Sequence, residues 1–189
     1  MVTFKVSVLQ FGVPEAVVLL AGSRNREVAK QCCQALVHGL SRAGFSFLVG
    51  CAAGVDRSFR KALSESPYTD RTLVGCAFPS RVRSFSTYGL AACLVVPPGL
   101  SPKAALRNHT LWPVRRACLS ILFPEDPTTG QWGKGSTLVY CASLEQLKPV
   151  FVVCTQKPKD SEQYRVARSC LYGVEGFWVV PHPLSEGGF

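Results

Sequence analysis

Long apolar runs and export signals are missing from this sequence. No segment approaches the roughly 20 consecutive apolar residues that a membrane-spanning helix requires. The first residues also lack a basic segment followed by an apolar core and a cleavage site for secretion. We therefore expect the protein to remain in the cytoplasm, with no membrane among its partners.

Metal and redox motifs are sparse as well. The chain has nine cysteines, which is an odd number, and three histidines, and it contains no Cys-x-x-Cys pair. Zinc sites and disulfide frameworks depend on such spacing or on paired cysteines, so we predict no metal and no cofactor, with zinc or redox chemistry as the less favoured alternative. Most of the cysteines stand in or beside apolar runs, where a free thiol behaves as a small buried hydrophobe in a reducing compartment; these are Cys51, Cys76, Cys93, Cys118, Cys141 and Cys154.

Acidic residues are absent between Asp70 and Glu125, in a chain whose formal net charge is +9. Cations without anions create a positive field that attracts polyanions, of which nucleic acid is the commonest. A basic surface that serves only solubility is the alternative explanation. The interval carries seven cations, which are Arg71, Arg81, Arg83, Lys103, Arg107, Arg115 and Arg116.

Short apolar runs alternate with amphipathic stretches along the chain. Hydrophobic residues make up 47% of the chain and charged residues 17%, which is the composition of a packed globular protein. The alternation predicts βαβ units, and hence a Rossmann-like three-layer α/β/α fold with a mostly parallel central sheet. The predicted strands are 17–21, 45–49, 72–78, 92–96, 118–123 and 150–154.

The helical periodicity is clearest near the first strand. Val28, Cys32, Leu36 and Leu40 recur every four residues, which predicts a helix over 26–42 that Gly44 ends. We expect a single domain over residues 1–189, because its length suits one hydrophobic core. Its Rossmann core should cover about 15–155, and the C-terminal extension, 156–189, should add a short helix at 165–171 and a strand at 177–180.

Glycine-rich turns follow three of the predicted strands, and a basic loop follows a fourth. Glycine lets a backbone approach a ligand closely, and a loop that opens a helix aims N–H groups and the helix dipole at an anion. Ligands of open parallel sheets bind at the carboxyl ends of the strands, so we expect these loops to form one phosphate site. The candidate residues are Gly22, Ser23, Arg24, Gly50, Gly54, Asp56, Arg57, Arg107, Asn108, Lys134, Gly135, Ser136 and Thr137.

No catalytic residue emerges from these loops. Asp56 has no second carboxylate near it in sequence, so we expect it to cap its helix or to orient Arg24 or Arg57. The Gly-Lys-Gly-Ser-Thr run at 133–137 is not a kinase-type phosphate loop, because Gly135 separates the lysine from the hydroxyls and the upstream glycine is missing. The sequence therefore favours binding over catalysis.

Each of three further side chains is compatible with two roles. Tyr88 and Trp112 are candidates for stacking on a base, although aromatic residues of α/β proteins more often pack in the core. His109 follows the basic Arg107-Asn108 pair and is compatible with either a ligand contact or packing.

The order of the motifs along the chain is also informative. They are Gly-Ser-Arg at 22–24, Val-Gly-Cys-Ala-Ala-Gly-Val-Asp at 49–56, Pro-Gly at 98–99 leading to Arg107-Asn108, and Gly-Ser-Thr-Leu at 135–138 before Lys-Pro-Val-Phe-Val-Val at 148–153. In this order they resemble the Rossmann core of the DNA-processing protein A (DprA/Smf) family, within the SMF/DprA-LOG (SLOG) superfamily. The chain departs from the family pattern where His109 replaces a common arginine, and Pro113 is expected to interrupt the following helix.

The resemblance implies single-stranded DNA bound along the crevice, often with formation of a homodimer and hand-over to a RecA-type recombinase. We expect the chain to have neither the N-terminal helical module nor the C-terminal winged-helix module of many relatives. A first alternative within the superfamily is a sensor of a nucleotide-derived ligand or a carrier of a small cofactor. A second is a LOG-like nucleotide phosphoribohydrolase, which is disfavoured because Leu138, Val139 and Tyr140 stand where its motif places a glutamate.

Overall fold

Apolar segments of the chain form strands, and the amphipathic segments between them form helices. The computed structural model describes residues 16–86, 88–128 and 132–182. In these residues the elements are β1 (Val17–Gly22), α1 (Lys30–Arg42), β2 (Ser46–Gly50), α2 (Val55–Ser64), a 3₁₀ turn (Thr69–Arg71), β3 (Thr72–Cys76), α3 (Pro79–Ser86), β4 (Ala91–Leu94), α4 (Pro102–Arg116), β5 (Leu119–Phe123), α5 (Lys134–Glu145), β6 (Val150–Val152), β7 (Tyr164–Leu171) and β8 (Val174–Pro181).

The strands form one eight-stranded sheet in the order β4-β3-β2-β1-β5-β6-β8-β7. Strands β1 to β6 are parallel, and β8 and β7 continue the sheet in antiparallel pairing. The order reverses at β1, since β2 lies on one side of it and β5 on the other. In open parallel sheets such a reversal leaves a crevice beyond the carboxyl ends of the two central strands. The predicted Rossmann-like, mostly parallel α/β fold is confirmed.

Two apolar layers cover the two faces of the sheet. Val18 and Leu20 of β1 pack in one layer with α1 and α2, whereas Leu19 and Ala21 pack in the other with α4 and α5. The central strands are buried on both faces, which explains why they appear in the sequence as continuous apolar runs. Helices on both faces leave the loops at the strand ends as the accessible part of the central sheet.

The C-terminal segment 165–171 is a strand, and the predicted short helix is wrong. Strand β7 pairs with β8 over eight positions, and β8 pairs with β6 of the core. Tyr164 and Val166 are buried while Arg165 between them is exposed, which is the alternation of a strand with one covered face. Pairing with β8 satisfies the backbone groups of β7, so the extension enlarges the sheet.

Two helices also differ from their predicted limits. Helix α1 begins at Lys30, four residues later than predicted, and ends at Arg42 as predicted, two residues before Gly44, whose φ is +88°. The prediction that Pro113 interrupts the next helix is wrong, because α4 continues to Arg116. Proline removes one N–H near the end of α4, and the N–H of Ala117 still closes the last turn on the Pro113 carbonyl at 2.9 Å.

The six cysteines that we expected to be buried differ in exposure. Cys51, Cys76 and Cys154 are buried as predicted, and Cys93 is half-buried. Cys118 and Cys141 are exposed, which corrects their interpretation as buried hydrophobes. No helix in the described ranges is long and apolar enough to cross a membrane.

Candidate phosphate-binding crevice

The loop after β1 is fixed between β5 and α2. A Cβ atom on Gly22 would lie 2.3 Å from the Phe123 carbonyl oxygen and 2.7 Å from a methyl group of Val55. The N–H of Ser23 donates to the Phe123 oxygen at 2.9 Å, and the Ser23 carbonyl accepts from Val55 N–H at 3.1 Å. Glycine is therefore required at position 22 by packing between three elements.

Gly54 joins the second predicted loop to the first. Its φ is +65°, and a Cβ atom there would lie 2.4 Å from the Ser23 oxygen and 2.5 Å from the carbonyl carbon of Arg24. Because only glycine adopts this conformation without strain and leaves room for the crossing backbone, the two loops contact each other directly. Arg24 is exposed beside this crossing.

Two arginines outside the predicted set of phosphate-site residues hold the β2–α2 loop, 51–54, in place. Arg60 donates to the Gly50 carbonyl at 2.6 Å and to the Ala52 carbonyl at 2.9 Å. Arg81 donates to the carbonyl of Cys51. These hydrogen bonds from guanidinium groups to backbone carbonyls fix the shape of the loop. The sequence could have indicated Arg60 as a partner of Asp56, because it stands one helical turn after Asp56.

Asp56 is buried beneath the same loop. Its carboxylate accepts from the Ala52 N–H at 3.2 Å, and a Cβ atom on Gly50 would lie 2.3 Å from its Oδ2 atom. Burial raises the pKa of Asp56 to about 6, although Arg60 and the Ala52 amide act in the opposite direction. The carboxylate therefore supports the loop from inside the protein.

Arg57 has a different partner from the one expected. Its guanidinium forms an ion pair with Glu27, and both side chains are exposed. The pair lies in a groove of about 380 Å³ between the start of α1 and α2, together with Lys30 and Glu65. The charge of Arg57 is thus balanced locally, outside the contact between the β1 and β2 loops.

The start of α5 differs from the β2–α2 loop because it contains a buried hydroxyl without a partner in the described chain. Thr137 donates through its N–H and its hydroxyl to the Gly133 carbonyl, both at 3.0 Å. The N–H groups of Lys134, Gly135 and Ser136 occupy the first turn, where a helix offers no internal acceptor. The Ser136 hydroxyl is buried and has no hydrogen-bond partner among the described residues. Lys134 and Gly135 are exposed.

Glu125 lies at this helix start and was not selected from the sequence. Its Oε1 atom accepts from the Asn25 side-chain amide at 2.8 Å, and its Oε2 atom would lie 2.8 Å from a Cβ atom on Gly133. The carboxylate therefore connects the β1 loop with the start of α5, where the helix dipole favours negative charge. The sequence could have drawn attention to Glu125, because it is the first acidic residue after the acid-free interval.

The Arg107-Asn108-His109 segment does not act as one group. Arg107 is exposed, whereas the Asn108 side chain donates to the Ala104 carbonyl within α4 at 3.1 Å. His109 instead reaches the strand ends, where its Nε2 atom lies 2.9 Å from the Gly75 oxygen and 3.5 Å from the Cys51 sulfur.

Most of the seven cations of the acid-free interval lie at two opposite ends of the sheet. Arg81, Lys103 and Arg107 stand in the first halves of helices that begin beyond the carboxyl ends of β3 and β4, and Arg83 stands in the middle of α3. Arg71, Arg115 and Arg116 precede the amino ends of β3 and β5. The basic interval is therefore divided between the crevice and the far end of the sheet.

The aromatic candidates for base stacking lie away from the crevice mouth. The guanidinium of Arg116 lies over the Trp112 ring, 4.1 Å from its centroid, and Trp112 packs against both apolar layers. Tyr88 is exposed, but it precedes the amino end of β4. Across residues 16–86, 88–128 and 132–182, no group of three His, Cys, Asp or Glu side chains could hold a metal ion.

Comparisons with known proteins identify the fold. No family model matches the sequence, and no curated protein matches it either. The structure of DNA processing protein A (DprA) from Streptococcus pneumoniae is similar at a TM-score of 0.53 and 16% identity, over 78% of this chain and 52% of that one. DprA from Helicobacter pylori, described for its single-stranded DNA binding mode, is similar at 0.54 and 17%, over 77% and 66%. The chain thus has the DprA fold and spans between about half and two thirds of these structures.

Proposed function

We propose that this protein binds single-stranded DNA through the crevice between β1 and β5, with one backbone phosphate at the start of α5. The observation that carries the proposal is the buried Ser136 hydroxyl, which has no partner among the described residues. It lies in the first turn of α5, whose N–H groups have no acceptor inside the helix and receive no side-chain cap from Gly133. A phosphate oxygen is an acceptor that suits such a turn in both charge and geometry. Lys134 adds a mobile cation next to it.

Cations near the same end of the sheet support a polyanionic ligand over a single phosphate. Arg24 is exposed at the β1 loop, and Lys103 and Arg107 stand in the first part of α4. Contacts from such side chains to successive phosphates release counterions and give affinity that falls with salt. The DprA structure described for single-stranded DNA binding has the same fold, which supports this class of ligand.

The other predicted residues have supporting roles in this proposal. Gly22, Gly50 and Gly54 allow the loops to pack closely, and Asp56 stabilises the β2–α2 loop from within. Ser23, Thr137 and Asn108 are engaged in local hydrogen bonds. The proposed function requires binding and no catalytic residue. Homodimer formation, hand-over to a RecA-type recombinase and a cytoplasmic location stay predictions.

A nucleotide-derived small ligand is the second candidate, and Glu125 is the observation that favours it. A carboxylate at the crevice mouth repels a polyanion, whereas the hydroxyl groups of a ribose donate hydrogen bonds to carboxylates. Native mass spectrometry of the freshly purified protein separates the two candidates. A nucleotide that co-purifies at stoichiometric amount supports the second, and an empty protein that binds labelled single strands supports the first.

Fluorescence anisotropy with a labelled single-stranded oligonucleotide tests the proposed function. We expect affinity to decrease as salt increases, and Arg24→Ala to weaken binding by about tenfold, the typical effect of one charge-assisted contact. Arg115→Ala is the matched control, because it removes the same charge from an exposed site at the far end of α4. No binding at low salt, or equal losses in the two variants, would refute the proposed site.

A further inference from the structure

Two cysteines meet at the carboxyl ends of β2 and β3, to one side of the crevice and outside the proposed phosphate site. Gly50 of β2 is paired with Gly75 of β3, so the following residues, Cys51 and Cys76, stand next to each other. Both are buried in the same apolar layer. Neighbouring strands lie about 4.8 Å apart, which is within the range of roughly 4.4–6.8 Å between Cα atoms that a disulfide requires.

His109 approaches the sulfur of Cys51 from α4. Its Nε2 atom lies 3.5 Å from that sulfur and 2.9 Å from the Gly75 carbonyl oxygen. A carbonyl only accepts hydrogen bonds, so Nε2 carries a hydrogen, and the Cys51 sulfur beside it is placed as a second acceptor. A thiolate is a far better acceptor than a thiol, and this geometry therefore favours the ionised form of Cys51.

The electrostatic surroundings agree with this geometry. The hydrogen bond with Cys76, and to a smaller extent the one with His109, lowers the pKa of Cys51 despite its burial. The hydrogen bond between the two cysteines raises the pKa of Cys76. Burial lowers the pKa of His109, but its contacts with Cys51, the Gly75 carbonyl and Asp56 together outweigh that effect and raise it. Asp56, which faces His109 across Gly50, acts in the same direction on the imidazole.

We propose that Cys51 is a peroxide-reactive thiolate and that Cys76 is the thiol that resolves its oxidised form. This assigns a redox modification site to the β2–α2 loop. The oxidation site does not depend on the proposed DNA binding, because it follows from the cysteine pair and His109 alone.

The chemistry balances with one hydrogen peroxide molecule. The Cys51 thiolate attacks one peroxide oxygen, an S–O bond forms as the O–O bond breaks, and the departing hydroxide takes a proton from the His109 imidazolium to leave as water. Cys76 then attacks the sulfenic sulfur, an S–S bond forms as the S–O bond breaks, and the second hydroxide leaves with the Cys76 proton. Two thiol sulfurs lose two electrons, and peroxide is reduced to two waters.

Other buried cysteines lack this combination and serve as internal references. The thiol of Cys154 faces the carbonyls of Val152 and Gln156, and burial raises its pKa. Burial raises the pKa of Cys33 to about 12. Cys51 directly follows the end of β2 and stands two residues before the exposed Ala53, whereas Cys33 lies within α1.

Peptide mass spectrometry of the peroxide-treated, reduced protein tests the inference. Trypsin isolates the two thiols in peptides 43–57 and 72–81, which contain one cysteine each. We expect these peptides to become linked with the loss of two hydrogen atoms, well before Cys154 or Cys33 is oxidised. In Cys76→Ser, Cys51 should instead accumulate as a sulfenic acid that dimedone traps. In His109→Gln, oxidation of Cys51 should slow by at least about tenfold because the proton donor is lost.

Two controls separate this outcome from general oxidation or misfolding. Cys154→Ser should leave the rate of cross-linking unchanged, and circular dichroism should show that each variant remains folded. Oxidation of Cys51 at the same rate as Cys154, or cross-links that do not include Cys76, would overturn the inference. Both results are readable whether or not the protein binds DNA.

Discussion

The β2–α2 loop and the start of α5 are similar in sequence, since both are glycine-rich turns that open a helix, but their polar groups are used in opposite ways. Carbonyl groups of the β2–α2 loop accept hydrogen bonds from Arg60 and Arg81, and Asp56 accepts from one of its amides. At α5, the Ser136 hydroxyl has no partner in the described chain. A glycine-rich turn is therefore not by itself a ligand site, and unsatisfied donors identify the better candidate.

The largest expected difference between the two turns concerns their glycines. Gly54→Ala should reduce the free energy of unfolding by about 3 kcal/mol or more, since a Cβ atom would strain a positive φ and overlap the Ser23 backbone. Gly135→Ala is the matched change in α5, where φ is ordinary and a Cβ atom meets nothing within 4 Å. It should be neutral or slightly stabilising. Urea unfolding measures both, and equal losses would contradict the different roles assigned to the two glycines.

Asp56 provides a pH-dependent test of the β2–α2 loop. Its pKa is raised from 3.8 to about 6 by burial, so the folded state binds the proton more tightly than the unfolded state. The contribution of Asp56 to stability is therefore fully present below about pH 4 and is lost as the pH rises through 6, by roughly 3 kcal/mol. Asp56→Asn keeps an acceptor for the Ala52 N–H and should remove this dependence.

The measurement is urea unfolding of both proteins between pH 4 and pH 7. Wild type should lose stability across this interval relative to Asp56→Asn. Parallel pH profiles for the two proteins would show that the carboxyl group is not protonated preferentially in the folded state.

Two serines extend the comparison at a smaller scale. The Ser58 hydroxyl donates to the Gly54 carbonyl at 3.2 Å and accepts from the Val28 N–H at 3.1 Å. Ser58→Ala should therefore cost about 1 kcal/mol, whereas Ser136→Ala removes an unpartnered buried hydroxyl and should not destabilise the protein. Thermal unfolding distinguishes them, and a loss in Ser136→Ala as large as that in Ser58→Ala would imply a structural partner for Ser136.

The smallest expected effect is at the crevice mouth. Glu125→Gln removes a negative charge beside the start of α5 while keeping an acceptor for the Asn25 amide. We expect it to strengthen DNA binding by about two- to fivefold, the usual size for one exposed charge. Anisotropy at fixed low salt measures this change. Weaker binding in Glu125→Gln would instead indicate that the carboxylate contacts the ligand, as the nucleotide candidate requires.

The sheet core was predictable because its strands are buried on both faces and therefore continuous in apolar character. The strand around Arg165 was not predictable. Only one face of β7 is covered, so apolar and polar residues are mixed in its sequence, and its pairing with β8 depends on other parts of the chain. The loops at 22–24 and 50–54 contact each other because both follow the carboxyl ends of neighbouring parallel strands, whereas their role as one phosphate site stays a prediction. The sequence did not predict the partners of two side chains, because these contacts depend on the three-dimensional arrangement. Arg57 pairs with Glu27, and Glu125 accepts a hydrogen bond from Asn25.

A nuclear magnetic resonance titration of the ¹⁵N-labelled protein with a short single-stranded oligonucleotide tests the central claim most directly. The amide signals of Lys134, Gly135 and Ser136 should shift progressively as the strand is added, while those of residues 51–54 should move little. Shifts concentrated in 51–54, with none at the start of α5, would contradict the proposed phosphate site.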